Sequence, residues 1–185
     1  VTAAEIRARL PPGLIHAPLE LAANRPAAVL VPIEPGRGVW LTKRSQDLPQ
    51  HAGQVAFPGG KIESFDASVE AAALREAQEE IGLRPEDAEI LGRMDDFVTG
   101  TGFHIAPVVA LVPPGVTFSP AAEEVQDIFC LPFEELLDPA APRRRRGFWR
   151  GAERAFWVWP HDEHVIWGAT AAILRMLAGR LGAAG

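Results

Sequence analysis

The sequence predicts an α+β fold, an α/β/α sandwich with a mixed β-sheet between helices. Three observations lead there. Short apolar runs of strand length recur between turn residues from Ala27 to Trp159. Two amphipathic helical stretches stand apart from them, one stopping at Gly82 and one closing the chain. No internal repeat or low-complexity linker divides the 185 residues, a length that suits one domain and is short for two. The expected organisation is one domain over 1–185, with 1–25 as an N-terminal extension and 163–182 as a closing helix.

The elements follow in order. Thr2 is a suitable N-cap for a helix to about Leu10, and Pro11-Pro12-Gly13 stops it. Ala27 to Ile33 is a buried strand between prolines, and Val39 to Thr42 is its hairpin partner across Glu34-Pro35-Gly36-Arg37-Gly38. Residues 45–60 read as a long loop containing Gly53 and the Pro58-Gly59-Gly60 turn. Asp66 or Ser68 caps a helix ending at Gly82. Ala88 to Phe97 and Ile105 to Val112 are strands separated by Thr99-Gly100-Thr101-Gly102. Val125 to Leu131 is a further strand, with a short helix at Pro132 to Leu137. Residues 139–151, rich in proline, arginine and glycine, read as loop, and Ala155 to Trp159 as strand. Ile166, Ile173, Leu174, Leu177 and Leu181 fall at helical spacing in the closing helix.

Composition narrows the class. Hydrophobic content of 48% and charged content of 23% are ordinary for a soluble globular protein. A formal net charge of −6 disfavours nucleic-acid binding through phosphates. An anionic substrate therefore needs a local basic site or a metal. The one cysteine, Cys130, has no intrachain partner and sits in an apolar run, so it reads as a structural thiol in a reducing compartment. No apolar stretch reaches the roughly 18 residues that a membrane span needs. Val1 to Leu10 carries Glu5, Arg7 and Arg9 and does not resemble a signal peptide. The expectation is a cytoplasmic protein, monomer or homodimer, with a small-molecule substrate and no nucleic-acid or membrane partner.

The most informative run is Arg75-Glu76-Ala77-Gln78-Glu79-Glu80-Ile81-Gly82-Leu83. It places three carboxylates in the last turns of a helix, where the dipole favours cations. Glu76 and Glu80 are i,i+4 and Glu76 and Glu79 are i,i+3, and each like-charge pair costs roughly 0.2–0.5 kcal/mol. On a helical wheel Leu74, Ala77 and Ile81 form the core face, while Glu76 and Glu80 lie together away from it with Glu79 beside them. Ala72 and Ala73 flank the carboxylates and are expected to leave room for something to approach. Arg75 is i,i+4 from Glu79 and can orient it. A solvated acidic face is the bland account of such a run. The unfavourable helix end and the lack of a basic partner four residues after Glu76 argue against it. Hard oxygen donors suit Mg2+ or Mn2+, and glycine in the preceding turn permits a backbone carbonyl to come close.

Phe57-Pro58-Gly59-Gly60 through Leu83 resembles the Nudix box, G-x5-E-x7-R-E-U-x-E-E-x-G-U with U apolar. Gly60, Arg75, Glu76, Glu79, Glu80, Gly82 and Leu83 match. Asp66 takes the glutamate position, and eight residues instead of seven separate it from Arg75. The coenzyme A diphosphatase branch of the family carries the same expansion. The resemblance implies a Nudix fold, with Glu76 and Glu80 as main ligands of Mg2+ or Mn2+. It also implies Glu79 as a further ligand or part of the water-activating network, Arg75 orienting the carboxylates, and Gly60 lending its carbonyl. A carboxylate outside the box often supplies a ligand or general base in this family. Glu124 is the candidate for that role, with Glu123 next; an exposed acidic turn explains the pair equally well.

Leu41 to Gly60 resembles the additional coenzyme A diphosphatase signature, L-L-T-x-R-S-x3-R-x3-G-x3-F-P-G-G. Leu41, Thr42, Arg44, Ser45, Gly53 and Phe57 to Gly60 match; Trp40 replaces the first leucine and Pro49 the second arginine. Val165 to Ala171 is similar to the branch's I-W-G-x-T-A segment, with Trp167 and Thr170 read as structural. The resemblance implies substrate contacts from Arg44, Ser45, His51, Gln54 and Phe57, while Lys43 beside Arg44 is a second cation that can meet phosphate. For His51 alone, a water-facing loop histidine is the simpler reading. Trp157 and Trp159 are strand residues, either of which can stack on a base. Arg143 to Arg146 read as a solvated basic loop outside the active site that can steer an anion.

The function implied is metal-dependent hydrolysis of coenzyme A or acyl-coenzyme A to adenosine 3′,5′-bisphosphate and a 4′-phosphopantetheine product. One alternative is hydrolysis of another nucleoside diphosphate derivative such as NADH or ADP-ribose, which the Pro49 departure favours. The other is a non-catalytic nucleotide-sensing module, against which the full set of repelling carboxylates argues.

Overall fold

The computed structural model describes residues 1–10, 25–149, 151–161 and 163–182. The expected stop at Pro11-Pro12-Gly13, and most of the N-terminal extension, lie outside the described residues.

The large sheet grows from two apolar runs that lie side by side. β1 (Arg25–Glu34) and β7 (Phe103–Leu111) pair in parallel from Arg25 opposite Phe103 to Ile33 opposite Leu111. β2 (Gly38–Arg44) returns from β1 as a hairpin, with Ile33 opposite Val39. Gly36 in that turn has φ 79°, a left-handed conformation that glycine adopts without steric cost. β3 (Val55–Ala56) pairs with the end of β2, and β4 (Gly59–Lys61) with the start of β1. β5 (Glu89–Arg93) and β6 (Phe97–Val98) flank β7, and β8 (Val125–Pro132) lies along the other edge of β2. Every pairing except β1 with β7 is antiparallel, so the sheet is mixed.

Both faces of the sheet are covered, and the central strands are accordingly apolar on both sides. On one face Val31, Ile33, Val39, Leu41, Val109, Leu111 and Leu131 pack with α1 (Ala3–Arg9), α3 (Phe133–Leu136) and α4 (Gly168–Gly182) through Ile6, Leu136, Ile173, Leu174 and Leu177. On the other, Ala28, Leu30, Trp40, Val108 and Ala110 meet α2 (Val69–Ile81) through Ala72, Ala73, Ala77 and Ile81. The expected α/β/α sandwich is present. Ser68, not Asp66, caps α2, accepting from the Ala71 N–H at 3.1 Å. Thr2 caps α1 in a reciprocal box with Glu5.

Four expectations need correction. Ala72 and Ala73 are fully buried against the sheet, so they give α2 a close approach to its neighbours and leave no open space beside the carboxylates. The expected strand from Ala88 to Phe97 is interrupted: β5, which carries a bulge between Ile90 and Gly92, ends at Arg93, and the chain pairs with β7 again as β6 only at Phe97. The 45–60 loop contains β3 and β4, two short strands below the length at which alternation is visible. Residues 143–149 form strand β9 (Arg143–Trp149), not loop. β9 pairs with β10 (Ala152–Pro160), which pairs with β11 (Val165–Trp167) in a second, three-stranded sheet. The arginines of β9 stand opposite Ala155, Phe156, Trp157 and Val158, where long aliphatic stems can cover apolar neighbours and keep their charges in water.

Candidate metal and substrate site

The site is built where α2 crosses β4. Arg75 is the pin. Its guanidinium donates to Asp66 in a fork, Nε to Oδ1 at 2.9 Å and Nη2 to Oδ2 at 3.1 Å. Nη2 also donates to the Lys61 carbonyl at 3.1 Å, tying the helix to β4. Nη1 donates to Glu76 at 2.8 Å and Glu79 at 3.1 Å. One planar cation thus fixes two glutamates and the loop that enters the helix, work suited to arginine's rigid fork. These hydrogen bonds, chiefly those from Arg75, hold the Asp66 carboxyl below its ordinary range.

The carboxylates divide by depth. Glu80 is 3% exposed. One of its oxygens accepts from the Gly59 N–H at 3.0 Å, and the other lies 3.5 Å from Arg44 Nη1. Burial pushes its pKa up to about 7 against the pull of Gly59 and Arg44, with further pushes from Glu76 and Glu124. Glu76 is also raised, first by burial and then by Glu79 and Glu124, with Arg75 opposing. Glu79 is more than half exposed and turned to Arg75, so it stands apart from the deeper pair. The wheel set Glu80 away from the core face; in the fold β4 and the Gly59 amide cover it.

The Pro58-Gly59-Gly60 turn must be small to admit these groups. A Cβ on Gly60 would lie 2.5 Å from Glu76 Oε2. A Cβ on Gly59 would meet the Ala28 carbonyl oxygen at 2.4 Å. The Glu76 carboxylate thus lies against Gly60, beside the buried Glu80 that the Gly59 amide binds, and these oxygens are a donor set that fits a hard divalent cation. Among the described residues no three His, Cys, Asp or Glu side chains already converge as a closed cage. Arg75 and Arg44 occupy carboxylate oxygens in this arrangement.

Glu124 enters from the loop before β8. Its charge acts on both Glu76 and Glu80, whereas Glu123 does not figure among the influences on either. Its carbonyl accepts from the Ser45 N–H at 2.8 Å, and its N–H donates to the Ala121 carbonyl. The same loop caps the end of α2: the Ala121 N–H donates to the Glu80 carbonyl and the Ser119 N–H to the Ile81 carbonyl, both at 2.9 Å.

The other expected substrate contacts separate. Arg44 reaches the site, and its Nε is buried without a hydrogen-bond partner among the described residues. Ser45 is buried and its hydroxyl accepts from the Asp47 N–H, so it shapes the loop. His51, at φ 58°, and Gln54 face water and bind each other, Nδ1 to Oε1 at 2.9 Å. Phe57, which the signature put forward, is 4% exposed within the core and offers a ligand no surface. Trp159 is fully buried and donates to the Glu135 carbonyl. Thr170 donates to the Val55 carbonyl at 2.9 Å, a structural tie between α4 and β3. Burial pushes the Cys130 thiol up to about 11, consistent with an inert side chain. Asp127, Phe129, His161 and His164, which the motif gave no reason to single out, assemble beside Lys43 at the junction of the two sheets.

Residues 23–150 match the family model described as the NUDIX domain. The chain belongs to the Nudix family. It is 41% identical over 165 residues to the uncharacterized Nudix hydrolase NudL of Citrobacter koseri, covering 88% of this chain and 86% of that one. The NudL protein of Salmonella paratyphi B is 39% identical over 175 residues, covering 94% and 90%. Among solved structures, DR0079 from Deinococcus radiodurans is similar with a TM-score of 0.55 at 16% identity, covering 86% of this chain and 88% of that one. A C. elegans Ap4A hydrolase binary complex gives 0.51 at 19% identity over 62% and 85%. These likenesses show the Nudix fold, and no helix among the described residues is long and apolar enough to cross a membrane.

Proposed function

We propose that this Nudix hydrolase is a metal-dependent diphosphatase acting on coenzyme A or an acyl derivative. The observation that carries the hydrolase part is the acid pair, half-buried Glu76 and buried Glu80, set against a turn that only glycine fits. Nothing in packing requires an acid whose burial holds it half-protonated near pH 7. Mg2+ or Mn2+, held by Glu76 and Glu80 with the Gly60 carbonyl and Glu79 as further donors, would neutralise diphosphate charge and acidify a bound water. Arg75 keeps Glu76 and Glu79 in place. Glu124, exposed on a loop tied to both α2 and β2, is the general base that takes the water's proton. Arg44 faces the substrate phosphates and gains the partner that its buried Nε lacks.

The coenzyme A assignment is supported by the resemblance of Leu41 to Gly60 and of Val165 to Ala171 to the diphosphatase signatures. Pro49, where that signature carries arginine, favours a second reading: a related dinucleotide such as NADH or ADP-ribose. Incubation with Mg2+ or Mn2+ and a panel of coenzyme A, NADH, ADP-ribose and dinucleoside polyphosphates, with products identified by mass, tests both. The expected products are adenosine 3′,5′-bisphosphate and 4′-phosphopantetheine. NADH turnover without coenzyme A cleavage would overturn the assignment, and tight binding without any turnover would favour a nucleotide sensor.

A further inference from the structure

One group outside the carboxylate site is buried with nothing to bind. His164, just before β11, is 8% exposed, and neither ring nitrogen has a hydrogen-bond partner among the described residues. Its ring stacks on Phe129 of β8, with centroids 4.0 Å apart and 29° between planes. His161 stands beside both rings, its centroid 5.2 Å from His164 and 5.1 Å from Phe129, so the three form a triangular aromatic cluster. Asp127 Oδ2 stands 3.5 Å from His164 Nε2, and Lys43 is the register partner of Asp127. Phe129 and His161 are half-buried and the Asp127 side chain is half exposed, so the cluster has an open side.

The cluster lies a few residues along β2 and β8 from the carboxylate site. Arg44, one step along β2 from Lys43, pairs with Glu80, and Ser45 binds the Glu124 backbone. Asp127 follows Glu124 by three residues, about 10 Å of extended chain. The two tryptophans that the sequence offered for base stacking are taken: Trp159 is in the core and Trp157 lies under Arg175, 4.6 Å from its guanidinium carbon.

We propose that the open side of the Phe129, His161 and His164 cluster is the seat of the substrate's nucleobase, a planar ring laid against these side chains with one edge toward an unpartnered nitrogen of His164. This rests on the diphosphatase reading above. The chemistry selects a base over a phosphate. Burial holds His164 below its ordinary pKa, so near neutral pH it presents one donor and one acceptor. A nucleobase edge carries donors and acceptors and so can pair with whichever nitrogen it meets, whereas a phosphate oxygen can pair only with the donor and would face Asp127. The Glu163 N–H donates to His161 Nδ1 at 3.2 Å, so Nδ1 is the acceptor there and the Nε2 N–H adds a second donor.

Calorimetric titration of ADP and of inorganic pyrophosphate, each with Mg2+, into the wild type, His161→Ala and His164→Leu tests this without requiring turnover. The wild type binds ADP at least about tenfold tighter than pyrophosphate, and each variant weakens ADP by about tenfold while pyrophosphate changes less than about twofold. His164→Leu keeps the buried volume and removes the orphaned nitrogens, so it folds with an unchanged or higher Tm; His161→Ala, at the surface, is the second route. The proposal is overturned if the wild type binds the two ligands equally. It is also overturned if the variants weaken both alike, or neither. Base-dependent binding in a chain that cleaves no diphosphate would keep this site and remove only the hydrolase assignment.

Discussion

Glu80→Gln in metal-free protein is the sharpest test of why the acids are there. Burial sets the folded pKa of Glu80 at about 7, against an ordinary 4.5. Between those values the folded state holds more protons than the unfolded one, so stability falls as pH rises. At about 1.4 kcal/mol per pH unit, full ionisation costs the folded chain roughly 3 kcal/mol above pH 7. Glutamine carries no charge and still accepts from the Gly59 N–H, though it gives up the 3.5 Å contact with Arg44. The expected outcome in a chelator is a variant about 1–3 kcal/mol more stable than wild type at about pH 8.5, converging with it near pH 4. Urea unfolding across that range measures it. Added Mg2+ should stabilise the wild type and leave the variant nearly unchanged. A variant less stable than wild type in chelator at high pH would mean that the carboxylate is structural, and a difference independent of pH would refute the burial argument itself.

The two glycines of the turn should fail differently. In Gly60→Ala the new methyl displaces the Glu76 carboxylate from its bond with Arg75, so stability should fall by about 1–2 kcal/mol while activity falls about 10–100-fold. Gly59→Ala meets the Ala28 and Val29 backbone and should cost about 2–4 kcal/mol in a denaturation curve. Glu124→Gln should lower kcat by about a hundredfold with unchanged Tm, whereas Glu123→Gln stays within about twofold of wild type; equal effects would remove Glu124 as the base. Arg75→Lys loses the fork to Asp66 and Glu76 and should cost about 1–3 kcal/mol, with activity falling more than stability explains.

Much of the layer arrangement was legible because burial on both faces leaves long apolar runs, as at Ala27 to Ile33. The acidic helix was legible because its charges oppose the helix dipole. Depth was not: the wheel placed Glu80 relative to α2 alone, and β4, too short to register as a strand, is what covers it. β9 was hidden because four consecutive arginines erase any alternation, and its pairing is set by β10. The His161 and His164 pair was visible as two histidines three apart, but the ring against which they stack comes from β8 and only the fold brings it there.

The segment from Ser119 to Val125 joins parts that would otherwise move independently. Its amides close the end of α2 through Ser119 and Ala121, and its Glu124 carbonyl holds Ser45 at the end of β2. If this segment lifts, the helix frays at the turn bearing Glu80, the putting-together of Arg44 with its acid loosens, and Glu124 leaves in the same event. Loss of Glu124, the proposed base, and loss of the proposed cation seat are then one opening, not two. Amide exchange at Ser45, Ser119 and Ala121 should share a single opening free energy, and a bound cation should slow all three together.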